Sequence, residues 1–235
     1  MAALAILVDS TLGASGAIAG GYGFAVTLGL RIELGPLARS GEATLAESDV
    51  VHADRAGSLT TAALRSASGA AAGHASLRAL AVDANATAPR SERANRSTKT
   101  SNPGTVGDPI DRLLGATSIQ AADGTARLTF DTRPELTNGG GRLHGGVVAG
   151  IAQRAAHFAV ASSTVDVGSI EHLVLDVDFF RPVAPSTRLE VHAAVRTRTR
   201  RYAWAESEVR LPGDTIAARA RVVAAITPSV EKKQA

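Results

Sequence analysis

The sequence predicts an α+β fold built twice over, two copies of one helix-plus-antiparallel-sheet unit in a single chain. Three observations lead there. A polar stretch, DANATAPRSERANRSTKTSNPGTVGDP from Asp83 to Pro109, has the Ser, Thr, Asn and Pro content of a linker and divides the chain into parts of comparable size. Each part carries an apolar helical segment followed by four alternating segments with Gly and Pro between them. Aligned on Pro36 and Pro182, LGLRIELGPLARSGEATLAESDVVHADRAGSLTTAAL runs parallel to LVLDVDFFRPVAPSTRLEVHAAVRTRTRRYAWAESEV in order, length and punctuation.

The first part reads as a helix over about Ala2–Ala19, then strands at Phe24–Leu34, Glu42–His52, Ser58–Ser66 and Ala75–Val82, the first ended by Gly35-Pro36. The second opens on a short helical candidate, Pro109–Gly115, and a strand at Gly124–Phe130. The turn-rich Asn138–Arg142 and an apolar helix from about His144 to Ala161 follow. Its remaining strands are Leu173–Phe180, Leu189–Thr199, Tyr202–Leu211 and Thr215–Ile226. The expected organisation is a partial module over 1–82, a linker over 83–109, a complete module over 110–228 and a tail over 229–235. The copies differ in one respect: the second has a strand and a glycine-rich turn before its helix, whereas the first starts on its helix. Either the chain is a shortened form or its first module takes the missing strand from elsewhere.

Composition narrows the function. With 45% hydrophobic and 20% charged residues the chain is of the globular class, and its 3% aromatics leave the core to Ala, Val, Leu and Ile. The absence of cysteine excludes a disulfide scaffold, a thiolate metal site and a cysteine nucleophile. The apolar N-terminal run has no basic residue before it and is interrupted by Asp9, so it reads as structure rather than a signal. No segment is expected to reach the ~20 apolar residues of a spanning helix. The expectation is therefore a cytoplasmic protein that works without a membrane, with Asn85-Ala-Thr and Asn95-Arg-Ser as chance sequons.

A net charge of +3 with a pI of about 9.8 allows two anionic partners, a nucleic acid or a phosphorylated small molecule. Arg196–Arg201 alternates, so as a strand it shows Arg196, Arg198 and Arg200 on one face, most simply a solvated one. Too few aromatics accompany these cations for base stacking, which ranks nucleic acid low.

The stretch that carries chemistry is Asn138-Gly-Gly-Gly-Arg-Leu-His144-Gly145-Gly146. Glycines at a helix start let backbone approach a ligand, and the free N–H groups with the positive helix end suit a developing oxyanion. His144 and Asn138 can donate or accept beside it. The remaining histidines, His52, His74, His157, His172 and His192, are scattered without the spacing of a zinc site. No Gly-x-Ser-x-Gly elbow, P-loop or dinucleotide fingerprint is present, and Gly20-Gly-Tyr-Gly23 is most simply the exit from the first helix.

Asn-x5-His-Gly-Gly, then an apolar helix, then LVLDVDFFRPV and three more strands, resembles the hotdog-fold acyl-CoA thioesterases of the phenylacetate-pathway and hydroxybenzoyl-CoA type. The resemblance covers about 110–226, with about 1–82 as a partial second copy. It implies two hotdog modules paired side by side as a pseudo-dimer, each an antiparallel sheet wrapped round a central helix. It also implies a thioester carbonyl polarised at the helix N-terminus beside Gly145, and a carboxylate nine residues after the His, on the partner unit's helix, as base or nucleophile. That position holds Gln153, which can be neither. Aligning AGIAQRAAHFAV with LAILVDSTLGAS places Asp9 opposite Gln153. Nine helical residues span about 13 Å, too far for His144 and an acid on its own helix to serve one carbonyl.

The reading that results has one complete site and a dead twin. Asp9 is its base or nucleophile, the Gly145 N–H its oxyanion donor, and Asn138 and His144 position the thioester. Thr27 assists the acid, and Ser10 is a simple helical residue. Gly146 and Arg142 would bind substrate, with Arg142 and the Arg196–Arg201 strand as candidates for the phosphates of coenzyme A. Small residues at Ala149, Gly150, Ala155 and Ala156 either leave room for an acyl tail or let the sheet pack close. No metal or cofactor is implied, and the chains could pair again into a homo-oligomer. Two alternatives stay open. One is a catalytically degenerate acyl-thioester-binding or structural protein. The other is a hotdog dehydratase, whose Asp-x4-His pairing is absent.

Overall fold

The computed structural model describes residues 1–35, 43–82, 107–163 and 167–228. Four strands follow the first helix α1 (Ala2–Gly20): β1 (Ala25–Leu34), β2 (Thr44–Asp54), β3 (Gly57–Ser66) and β4 (Ala71–Ala81). A short helix α2 (Pro109–Leu114) leads to β5 (Ala116–Ala122), β6 (Thr125–Asp131) and the long helix α3 (Gly145–Ser162). The chain then runs through β7 (Val167–Phe179), β8 (Arg188–Arg198), β9 (Tyr202–Leu211) and β10 (Thr215–Pro228). All ten strands join one antiparallel sheet in the order β2-β3-β4-β1-β7-β10-β9-β8-β6-β5.

That order shows a pseudo-twofold at the β1–β7 seam, where Gly29 to Glu33 pair with Asp178 to Val174. On one side β4, β3 and β2 follow β1; on the other β10, β9 and β8 follow β7. Leu30 and Ile32 on β1 are buried as Leu175 and Val177 are on β7, so the core face is continuous across the seam. Even the irregularities match. A bulge at Leu28, between Thr27 and Gly29, recurs at Leu173, between His172 and Val174. A bulge re-aims the neighbouring side chain, and Thr27 and His172 are the residues so placed.

Each helix lies against its own half of the sheet and against the other helix. α1 sends Ala5, Val8 and Leu12 into the core, while α3 is buried almost all round through Val147, Ala149, Ile151, Ala152, Ala155, Ala156 and Ala159. A helix wrapped on every side must be lined with small residues if the backbones are to close around it, which accounts for the alanine content. At the start of α3 the approach is tightest. A Cβ on Gly146 would stand 2.5 Å from the Ala5 carbonyl oxygen and 2.5 Å from Ile6 Cα. The small residues Ala149, Gly150, Ala155 and Ala156 serve this packing, and none of them lines the cleft described below.

The Arg154 guanidinium, 8% exposed, pins α2 to α3. Its Nε meets Asp111 Oδ1 at 2.6 Å, and its Nη2 meets Asp111 Oδ2 and Asp108 Oδ2, each at 2.8 Å. Asp111 is fully buried, so the ion pair stands in for the water both groups have lost.

Three expectations need correction. Two strands, not one, precede α3, since Ala116–Ala122 forms β5; as the outermost strand it is mostly exposed and carries no apolar alternation to announce it. Second, α1 is long and apolar enough to cross a membrane by length and composition, with a mean hydropathy of 1.6. In this fold it instead gives one face to the core and brings Asp9 to α3. Third, the linker expected over 83–109 ends early, since Asp108 caps and Pro109 opens α2, while the rest of it, the tail and both sequons lie outside the described residues over 83–106 and 229–235.

The contact at Gly146 sets the distance between the two halves. Gly146→Ala must push α1 from α3, and overpacking of this kind costs about 1–3 kcal/mol. Urea unfolding should show that loss, whereas Gly13→Ala, where a Cβ meets nothing within 4 Å, should leave stability unchanged or slightly raised.

Candidate active site

The N-terminus of α3 is held by a carboxylate from the other helix. His144 is its N-cap, and the chain reaches it through Asn138, whose Oδ1 accepts the N–H groups of Gly140 at 3.0 Å and Arg142 at 3.2 Å. Asn138 therefore folds the glycine turn. The Gly146 N–H donates to Asp9 Oδ2 at 2.7 Å, so Gly146 is buried against the acid and is not free to hold substrate as the sequence had suggested. The Gly145 N–H has no acceptor among the described residues, and Gly145 packs against the acid. A Cβ there would lie 2.9 Å from Asp9 Oδ2 and 3.2 Å from Thr27 Oγ1.

Asp9, 6% exposed, accepts a hydrogen bond on each oxygen. Thr27 Oγ1 donates to Oδ1 at 2.8 Å, while Oδ2 takes the Gly146 N–H and stands 2.8 Å from His144 Nδ1. Nδ1 also lies 3.2 Å from the Gly146 nitrogen, and one atom cannot both donate to the carboxylate and accept from that N–H. Nδ1 accepts the Gly146 N–H, and its 2.8 Å approach to Asp9 Oδ2 is a close contact rather than a hydrogen bond. Nε2 lies 3.0 Å from Ser10 Oγ. Ser10 was read from sequence as a plain helical residue; its position next to Asp9 was the only signal available, since its partner is 134 residues away.

These groups form the floor of a cleft of about 410 Å³. Ser10, Gly13, Ala14 and Ala17 of α1 line one side, Phe24, Val26 and Leu28 another, and Phe179 to Val183 a third. Asp9, Thr27, Asn138, Arg142, His144 and Gly145 all lie on its wall. Arg181 joins Arg142 there. The Arg196–Arg201 stretch does not line the cleft: Arg196 Nε is bonded to Glu206 at 2.8 Å and Arg198 Nη1 to the Ser163 carbonyl at 3.0 Å.

At the pseudo-symmetric position stand Gln153, buried at 2%, and His172 in the place of Thr27. Not all the histidines are scattered, as the sequence had implied. His157 Nδ1 and His172 Nε2 are 3.1 Å apart, beside Arg154, whose guanidinium lies 5.0 Å from the centre of the Phe158 ring. No third His, Cys, Asp or Glu joins the pair among the described residues. Burial, aided by the charge of Arg154, pushes His157 down to about 4; burial, aided by His157, pushes His172 down to about 3.

A cross-helix carboxylate thus stands at a His-Gly-Gly helix start inside a sheet of this order. Residues 132–226 match the family model described as Acyl-CoA thioesterase N-terminal domain. The chain is 33% identical over 103 residues to a protein of Sulfurisphaera tokodaii described as "Putative esterase", covering 43% of this chain and 74% of that protein. Among solved structures it is similar to that of a "putative esterase" from Mycobacterium tuberculosis, with a TM-score of 0.50 and 25% identity over 52% of this chain and 99% of the other. The PaaI protein of Escherichia coli, from the phenylacetic acid degradation operon, aligns with a TM-score of 0.49 and 22% identity, over 53% of this chain and 88% of its own. The chain belongs to the hotdog-fold thioesterase family.

The paired imidazoles make stability depend on pH. In the unfolded chain they titrate near 6.5, in the fold at about 4 and about 3, so the unfolded state binds more protons throughout that interval. Unfolding free energy should fall as pH drops below about 6.5, by up to about 1.4 kcal/mol per pH unit for each imidazole. Denaturant titrations between about pH 7 and 4.5 should show the decline, and the H157Q/H172Q double variant a flatter curve.

Proposed function

We propose that the chain hydrolyses an acyl-CoA, or acyl-carrier, thioester at one site per chain, built across its two halves. The observation that carries this reading is the Asp9 carboxylate bonded to the Gly146 N–H at 2.7 Å, next to the free N–H of Gly145. A thioester carbonyl on the cleft floor would take the Gly145 N–H, and the helix dipole behind it, on its developing oxyanion. Asp9 is the base or nucleophile of the reaction. His144 and Thr27 fix its orientation, and Asn138 shapes the turn that presents Gly145.

The cleft supports the substrate class. Its inner wall of Gly13, Ala14, Ala17, Val26 and Leu28 suits an acyl group, and Arg142 and Arg181 offer cations to coenzyme A phosphates. Neither arginine has a carboxylate partner among the described residues. The twin position cannot act alike, because Gln153 offers an amide where Asp9 offers a carboxylate. We place the reaction in the cytoplasm, with a further pairing of chains as a homo-oligomer.

Release of free coenzyme A from short, long and aromatic acyl-CoAs tests the reading. Asp9→Ala should lower turnover by about 10²–10⁴-fold, while Gln153→Ala should retain it within a few-fold. A wild type that binds these thioesters yet releases nothing above background would make the chain a degenerate binding protein instead.

A further inference from the structure

The face of α1 that brings Asp9 to the cleft floor continues along the cleft. Gly13, Ala14 and Ala17 follow at helical spacing on that wall, and Val26 and Leu28 of β1 line the same space. Leu28 and Phe180 are large apolar side chains that stay exposed there. Apolar surface left open in a concave site beside a polar floor is surface that an apolar ligand group covers.

Gly13 is the member of this wall that packing does not explain. A glycine inside a helix is less favourable than alanine, so it calls for a reason. The other glycines of α1 have one: a Cβ on Gly16 would run into the Ser58 side chain, and a Cβ on Gly20 into the Tyr22 ring and the Asp54 carbonyl. A Cβ on Gly13 would meet nothing within 4 Å. No neighbour in the fold requires the glycine, and the space beside it belongs to the cleft.

Resting on the thioester reading, we propose that Gly13 decides which acyl chains the site accepts, and that the substrate carries a linear acyl group of medium length lying along α1 over Gly13 as far as Ala17. Along the helix axis Gly13 stands about 6 Å beyond Asp9 and Ala17 about 12 Å. With single bonds near 1.5 Å arranged in a zigzag, about eight to ten carbons cover the longer distance and about four the shorter. A side chain at position 13 would stand in this path and end it one helical turn from the acid. The coenzyme end of the substrate leaves the other way, past Arg142 and Arg181.

The test is kcat/KM over straight-chain acyl-CoAs from acetyl to hexadecanoyl, with phenylacetyl-CoA beside them, for the wild type, Gly13→Ala, Gly13→Leu and Ala17→Leu. In the wild type each methylene that the wall covers should add about fourfold, up to about the decanoyl chain. G13L should lower the decanoyl-to-butyryl ratio by about 100-fold or more, since about four such methylenes lose their wall. G13A should lower it by a few-fold, and A17L should move the optimum to shorter chains. Alanine and leucine are both better helix formers than glycine, so circular dichroism and urea unfolding should show folded variants at position 13. A ratio in G13L within a few-fold of wild type overturns the proposal, as does an equal loss at every chain length, which would make position 13 a support of the acid rather than a wall of the acyl path. An unmoved optimum in A17L overturns it independently. A wild type that cleaves phenylacetyl-CoA and none of the straight chains sinks this proposal and leaves thioester hydrolysis standing. A wild type that cleaves no thioester removes both.

Discussion

The interaction on which the rest of the molecule depends is the Asp9 carboxylate lodged at the N-terminus of α3, bonded to the Gly146 N–H at 2.7 Å. A charge buried to 6% exposure is costly unless it is paired and fully hydrogen-bonded. Here the helix dipole, a backbone N–H and a threonine hydroxyl offset the loss of water. A carboxylate at a helix N-terminus contributes about 0.3–2 kcal/mol depending on burial. The bond is therefore both a cap and a site: it docks α1 on α3 and puts an acid beside a free N–H. Fold and chemistry meet in one side chain, and that requires Gly146 to be a glycine, since any Cβ would hold the helices apart.

The pseudo-twofold gives the molecule an internal control. The bulge that points Thr27 at Asp9 recurs at Leu173, yet there it places His172 beside His157, with Gln153 in the acid's position. One end of the helix pair holds a charged carboxylate served by donors. The other holds an amide and two imidazoles kept neutral by burial, with the nearby charge on Arg154 taken up by Asp111 and Asp108. The same backbone thus supports a polar cleft at one end and a structural lock at the other. Side-chain identity alone separates them.

How much of this was legible in the sequence follows from what each signal depends on. Most strands were readable because one face of each is buried, so apolar alternation persists; β2, an outermost strand with no buried residue, was readable from its place in the repeat, whereas β5, the other outermost strand, has no counterpart in the first half and was missed. The glycine turn and the helix start after it were readable as a local string, Asn138 to Gly146. Asp9 needed the length of a helix and the resemblance to a family that pairs its units, since nothing near Asp9 points to a residue 135 positions away. The His157–His172 contact and the Ser10–His144 contact were not legible, because each joins one ordinary residue to another only after the sheet has closed. Gly146 was legible as part of the motif but misread in role: from sequence its N–H looked available, whereas folding assigns it to Asp9.

Placing Asp9 on α1 and its Gly146 partner on α3 makes this cluster depend on the docking of the two halves. Neither half alone holds the acid and the helix N-terminus together, so local opening between α1 and α3 separates them before it unfolds either sheet half. Separation also exposes Asp9 to water and removes the Gly146 N–H from it. The arrangement makes the buried carboxylate conditional: it is tolerated only in the docked state, where the Thr27 hydroxyl and the Gly146 N–H are in place. The contact that docks α1 on α3 is thus the one that sets a carboxylate beside the N-terminus of α3.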